Sequence, residues 1–139
     1  MNVLFVQNYP LGAALVQDTL RRSAPDIHLD WVSTVHEALE RLGRLEQGRA
    51  AATELLPHYD LVLTDLNLPD GLGLEIVSHI RSQGYGLAAV VLTGSNDKET
   101  AADARRAGAD DCIAKGGDYL AALPRILREA LQAFRSGSS

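Results

Sequence analysis

The chain has one cysteine, Cys112, in 139 residues. That excludes an internal disulfide and a zinc site built from cysteines. No apolar run approaches the roughly 18 residues that a bilayer crossing takes, so no membrane segment is expected. Four histidines, His28, His36, His58 and His79, lack the mutual spacing of a metal site. Positive charge is in deficit: 13 Lys and Arg against 18 Asp and Glu leave a net charge of -5. The balance argues against nucleic acid as the direct partner. A basic leader is also missing, because Met1-Asn2 runs directly into Val3-Leu4-Phe5-Val6. The expected location is the cytoplasm.

What is present is a globular composition, 46% hydrophobic and 22% charged, at a length that suits one domain. Residues 1–135 form that domain in this reading, with 136–139 a flexible tail or expression remnant. Val3–Val6 is a buried strand, β1, followed by a helix, α1, on Leu11, Leu15, Val16 and Leu20, with Pro25 as its stop. Ile27–Val32 reads as β2, and Ser33 or Thr34 caps α2, which carries Ala38, Leu39, Leu42 and Leu45. The 46–58 stretch is too long for an ordinary connection and reads as an extension of α2 or an extra helical turn.

Leu61–Leu63 is β3, delivering Asp65 to a loop that ends in Pro69-Asp70-Gly71, with Asp70 or Gly71 near the start of α3. Leu74, Ile76, Val77 and Ile80 mark α3, and Ala88–Leu92 is β4. The next helix, α4, spans about 98–107 and offers mainly alanines as its apolar face, so it is the least firmly held. Asp110-Asp111 reads as a solvated turn before a short β5 at Cys112–Ala114. Leu120, Leu123, Ile126, Leu127, Leu131 and Phe134 stripe α5, in which Pro124 is tolerable only near the first turn. Five βα units predict a parallel sheet covered on both faces, with chemistry at the carboxyl ends of its strands.

Those ends bring together Gln7-Asn8, Asp65, Thr93 and Lys115. A carboxylate, a hydroxyl and an ammonium at one crevice suit phosphoryl chemistry. The segments Leu61-Val-Leu-Thr-Asp65-Leu-Asn-Leu-Pro69-Asp-Gly71, Val91-Leu-Thr93-Gly94 and Gly108-Ala-Asp-Asp-Cys-Ile-Ala-Lys115 resemble the receiver domain of bacterial two-component response regulators. The resemblance spans the chain from β1 to α5. It implies a (βα)5 doubly wound fold of flavodoxin-like strand order 2-1-3-4-5, and a signalling module rather than an enzyme. It also implies Asp65 as phosphoacceptor, Thr93 as the hydroxyl that holds a phosphoryl oxygen, and Lys115 as the ammonium paired with both. Asn67 matches the residue whose carbonyl helps bind Mg²⁺, and its side chain, with Ser95, falls where the family tunes dephosphorylation. The implied partner is a histidine kinase or histidine phosphotransfer protein, and α4-β5-α5 is the surface that switches or forms a homodimer.

Three departures stand out. Gln7 and Asn8 replace the two acids that the family places after β1, leaving Asp65, Asn67 and Asn8 as the metal donors with Gln7 nearby. Each charge lost near Mg²⁺ removes roughly 4 kcal/mol at 4 Å and an effective dielectric of about 20, so the ion is expected to bind weakly or not at all. Cys112 stands where the family has a swinging aromatic ring, and Gly116 where it has a proline. The alternative is therefore a divergent receiver working unphosphorylated, as a docking or dimerisation module. A haloacid-dehalogenase-like phosphatase would need an acid at Asn67, and a flavodoxin-like flavin site a better phosphate loop than Tyr9-Pro10-Leu11-Gly12. The final helix is similar to that of receivers joined to sensor or kinase modules. Trp31 is expected to lie too far from the site to report on it.

Overall fold

Apolar strands without polar alternation must be covered on both faces, and the computed structural model shows how this chain does so. It describes residues 1–50, 59–94 and 97–137, with backbone alone over 44–50. The sheet is built from β1 (Asn2–Val6), β2 (His28–Val32), β3 (Leu61–Asp65), β4 (Ala88–Thr93) and β5 (Asp111–Ala114). Between and after them run α1 (Pro10–Ser23), α2 (Val35–Ala50), α3 (Gly73–Ser82), α4 (Lys98–Ala107) and α5 (Tyr119–Gly137). All the sheet pairings are parallel and the order is 2-1-3-4-5, the predicted doubly wound arrangement.

Strand side chains alternate between the two faces, and each face has its own core. Val3 and Phe5 of β1, with Leu61, Leu63, Val90 and Leu92, pack under α1 and α5 against Val16, Leu20, Leu123 and Leu127. Leu4 and Val6, with Val62, Ala89 and Val91, pack against Ala38, Leu42, Ile76, Val77 and Ile80 of α2 and α3. Ala104 is the buried residue of α4, so that helix presents little area to its core. Its ends are nevertheless fixed: Asp97 accepts from the Glu99 N–H at 2.9 Å, and Gly108 closes it in the left-handed region at φ 111°.

Several local expectations are corrected. β3 continues past Leu63 to Asp65, which stands in register with Leu92. Beyond it Asn67–Leu68 and Gly71–Leu72 form a two-residue antiparallel ladder where the sequence suggests only a turn. Asp70 does not start α3; its two carboxylate oxygens accept from the Val35 and His36 N–H groups at 2.8 and 2.9 Å, at the first turn of α2. An anion there satisfies two of the donors that a helix start leaves open. Thr34, of the two candidates, is the local cap, accepting from the Glu37 N–H at 3.0 Å.

Asp110 is not a solvated turn residue. Its carboxylate pairs with Arg81 at 2.8 Å and accepts from the Ala89 N–H at 2.8 Å, while Arg81 also donates to the Gly108 and Leu87 carbonyls. Pro124 lies in the second turn of α5, not the first, so the Leu120 carbonyl loses its helical donor and the helix continues on its packing. α5 runs to Gly137, two residues into the stretch read as a tail. α2 reaches Ala50, so 46–50 extend it, while 51–58 and Ser95 lie outside the described residues.

Candidate functional site

The three central strands end side by side. β1 stops at Val6 and hands on Gln7; Asp65 and Thr93 are the last residues of β3 and β4; Lys115 follows β5 directly. Parallel pairing puts these ends on one edge, and the Lys115 N–H donates to the Thr93 carbonyl at 2.7 Å, closing the row. Lys115 Nζ lies 2.8 Å from Asp65 Oδ1. Gln7 Nε2 donates to the same oxygen at 3.3 Å. Asp65, Thr93 and Gln7 are 7%, 5% and 1% exposed, so carboxylate, hydroxyl and amide sit in a nearly water-free floor with the half-buried ammonium above. In such surroundings a charge pair is stronger than in water and more costly to break on one side.

The predicted trio of Asp65, Thr93 and Lys115 is thus brought together. Asn8, after β1, and Asn67, in the short ladder after β3, are both exposed. Receiver domains typically bind Mg²⁺ in an acidic pocket. Mg²⁺ demands an octahedron of oxygens with carboxylates prominent among them. This pocket has one carboxylate, its Oδ1 already engaged by an ammonium and an amide N–H, and the Gln7 oxygen is turned away and buried without a partner among the described residues. Among those residues no group of three His, Cys, Asp or Glu gathers anywhere. The donor set does not fit a magnesium site.

Four residues that shape the pocket carry no obvious sequence signal. Gly73 opens α3 directly behind Asp65: a Cβ there would lie 2.1 Å from the Asp65 carbonyl oxygen. Gly12 lets α1 close on Gln7, since its Cβ would meet Gln7 Oε1 at 2.6 Å. Tyr119 begins α5 near the acid; burial first, and then the Asp65 charge, push its phenol pKa up. Trp31, expected to be remote, donates from its indole N–H to the Gln7 carbonyl at 2.7 Å. The β2 edge therefore touches the floor of the pocket.

The model of the response regulator receiver domain matches residues 3–122. The chain belongs to the response regulator receiver family. Among curated proteins, this receiver is 30% identical over 135 residues to the methanogenesis regulatory protein FilR1 of Methanothrix harundinacea, covering 96% of this chain and 28% of that protein. It is 33% identical over 98 residues to a probable transcriptional regulatory protein, y4xI, of Sinorhizobium fredii, covering 68% of this chain and 42% of that one. The chain therefore spans less than half the length of these relatives. Among solved structures, the response regulator receiver domain from Rhodospirillum rubrum superposes with a TM-score of 0.73 at 25% identity, over 94% of this receiver and 92% of that chain.

Proposed function

We propose that this receiver is a phosphoacceptor in a two-component phosphorelay, taking a phosphoryl group on Asp65 from a histidine kinase or histidine phosphotransfer protein. The observation that carries the reading is the Lys115–Asp65 pair at 2.8 Å on the strand-end edge that also holds Thr93. An Asp65 oxygen attacks phosphorus, the bond from phosphorus to the donor nitrogen breaks, and the imidazole keeps the electron pair and picks up a proton. Lys115 and the Thr93 hydroxyl neutralise and hold the new phosphoryl oxygens. The receiver acts as a signalling acceptor rather than as an enzyme with a free substrate.

The donor has to reach a recessed carboxylate, and the rim offers it a surface. Tyr9, Leu11 and Leu15 are 61%, 67% and 57% exposed on and before the first turns of α1, the helix whose Gly12 closes on Gln7. Exposed apolar side chains at helical spacing suit a helix carrying the donor histidine. On the output side, every residue of the edge strand β5 is half-buried and α4 buries one alanine, so α4-β5-α5 is the surface proposed to switch or to pair two copies. No helix among the described residues is long and apolar enough to cross a membrane, and the proposed location is the cytoplasm. The proposed setting is a larger signalling protein, with residues 1–135 as its receiver.

A second reading has its own observation. The amide of Gln7 bonded to Asp65, in place of an acid, favours a receiver that docks or dimerises without being phosphorylated. Incubation with a phosphohistidine donor, followed by intact mass, separates the two. A gain of one phosphoryl group that Asp65→Asn abolishes supports the first, and no Asp65-dependent gain supports the second.

A further inference from the structure

Among the described residues, both polar contacts of the Asp65 carboxylate land on one oxygen, Oδ1, from Lys115 Nζ at 2.8 Å and Gln7 Nε2 at 3.3 Å. Gln7 is not free to turn elsewhere. Its backbone N–H donates to the Val32 carbonyl at 3.0 Å, and its carbonyl accepts from Trp31 Nε1 at 2.7 Å. Its side chain is sealed under α1, where Gly12 leaves room for nothing larger than hydrogen. Turned over, the amide would set its oxygen against the Asp65 carboxylate, acceptor to acceptor. The orientation present leaves Gln7 Oε1 buried with no partner among the described residues, a state that native interiors rarely keep. The charge on Asp65 fixes that choice.

We infer that Gln7 is a positioning residue that stands in for a divalent cation: its amide and Lys115 hold Asp65 through Oδ1, leaving Oδ2 open to the incoming group, and the pocket works without Mg²⁺. A cation approaching Oδ1 has to displace an ammonium and an N–H donor. At Oδ2 it meets one carboxylate oxygen, and Asn8 and Asn67, which follow the ends of β1 and β3, bring no further charge. The metal part of this inference stands on the donor chemistry alone. The part about Oδ2 rests on the phosphoacceptor reading.

The full chain is titrated with MgCl₂ through the millimolar range while Trp31 emission and thermal midpoint are followed, in wild type, Asn8→Asp and Gln7→Asp. Asn8 is exposed, so its variant folds even where a charge at buried Gln7 does not. Wild type is expected to show no saturable change, and Asn8→Asp a saturable one that the further change Asp65→Asn removes. A saturable, Asp65-dependent response in wild type overturns the inference. So does silence in both variants, since neither residue then stands where a cation would. A second arm labels the protein from a small phosphodonor in Mg²⁺ or chelator. The ratio of the two rates is expected near one for wild type and at least about tenfold for Asn8→Asp, the factor that one added charged interaction of about 1.4 kcal/mol supplies. Loss of packing alone does not move that ratio. Labelling of wild type only with Mg²⁺ overturns the inference and leaves the phosphoacceptor reading standing. No labelling in either buffer overturns both the phosphoacceptor reading and the assignment of Oδ2.

Discussion

Replacing Gly73 by alanine adds one methyl group behind the acceptor, and the sign of its effect tests the close packing of α3 on β3. At a first-turn helix position with open space, alanine for glycine stabilises by roughly 0.4–1 kcal/mol through the unfolded chain. Here the new Cβ would lie 2.1 Å from the Asp65 carbonyl oxygen and 2.8 Å from Thr64 Oγ1. Relief takes about 1 Å of backbone movement, since real contacts of this kind begin near 3.0 Å. Neither side yields easily: the Gly73 N–H donates to the Leu66 carbonyl at 2.7 Å, and the Leu66 N–H to the Leu92 carbonyl at 2.8 Å. Overpacking against fixed backbone costs about 3 kcal/mol, well beyond the entropic gain. At this chain length that is a fall in Tm of roughly 10 °C. Gly43→Ala in α2, where a Cβ meets nothing within 4 Å, is the control and raises Tm slightly. Thermal unfolding followed by circular dichroism reads both. A Gly73→Ala protein as stable as Gly43→Ala would refute the placement of α3 against Asp65.

Three further outcomes follow from particular contacts. Hydrogen bonds from the His36 and Val35 N–H groups hold the Asp70 carboxyl below its ordinary pKa of 3.8, so its support of α2 is present above that value and lost as pH falls through the depressed one. Asp70→Asn should lower Tm at neutral pH and flatten the acid limb of a stability profile; an unchanged limb would exclude the cap. Burial, followed by the hydrogen bond to Asp30, pushes the Tyr59 phenol up to about 12, so its contribution is full below pH 10 and disappears between 10 and about 12. Ultraviolet titration should show that Tyr59→Phe removes a tyrosine that ionises near 12; loss of one that ionises at the ordinary value of 10 instead would contradict it. Arg81→Ala removes a donor from the Gly108 and Leu87 carbonyls and leaves Asp110 with the Ala89 N–H but no cation, at a cost of about 3 kcal/mol by denaturant unfolding. Arg81→Lys recovers only part, because an ammonium cannot reach three acceptors as the planar fork does; full recovery would mean charge alone matters.

β1, β3 and β4 were legible because each is built on an unbroken apolar run, and β2 because His28 and Asp30 alternate with apolar residues; their order of appearance with helices between them predicts a covered parallel sheet. Asp65, Thr93 and Lys115 were legible for the same reason, since a strand end is where such a sheet exposes chemistry. What the sequence hid are contacts that cross between elements with no period to betray them. Asp70 reaches back 35 residues to α2, Arg81 forward 29 to Asp110, and Trp31 reaches 24 residues to Gln7. Turn propensity rightly marked Pro69-Asp70-Gly71 as a bend, but propensity is local and the partner of Asp70 is not. Gly73 bears no mark in the sequence, because its role depends on a carbonyl eight residues earlier. Charge alone made Asp110 read as solvent-facing, because the compensating Arg81 lies far back in the chain, on α3.

The central claim is that Asp65 accepts a phosphoryl group, held by Lys115 and served by Gln7 instead of a cation. Its most direct test is the intact mass of the protein after exposure to a phosphohistidine donor in chelator-containing buffer, beside Asp65→Asn. The account predicts a gain of one phosphoryl group in wild type and none in the variant. An unmodified wild-type mass, or an equal gain in Asp65→Asn, would contradict it.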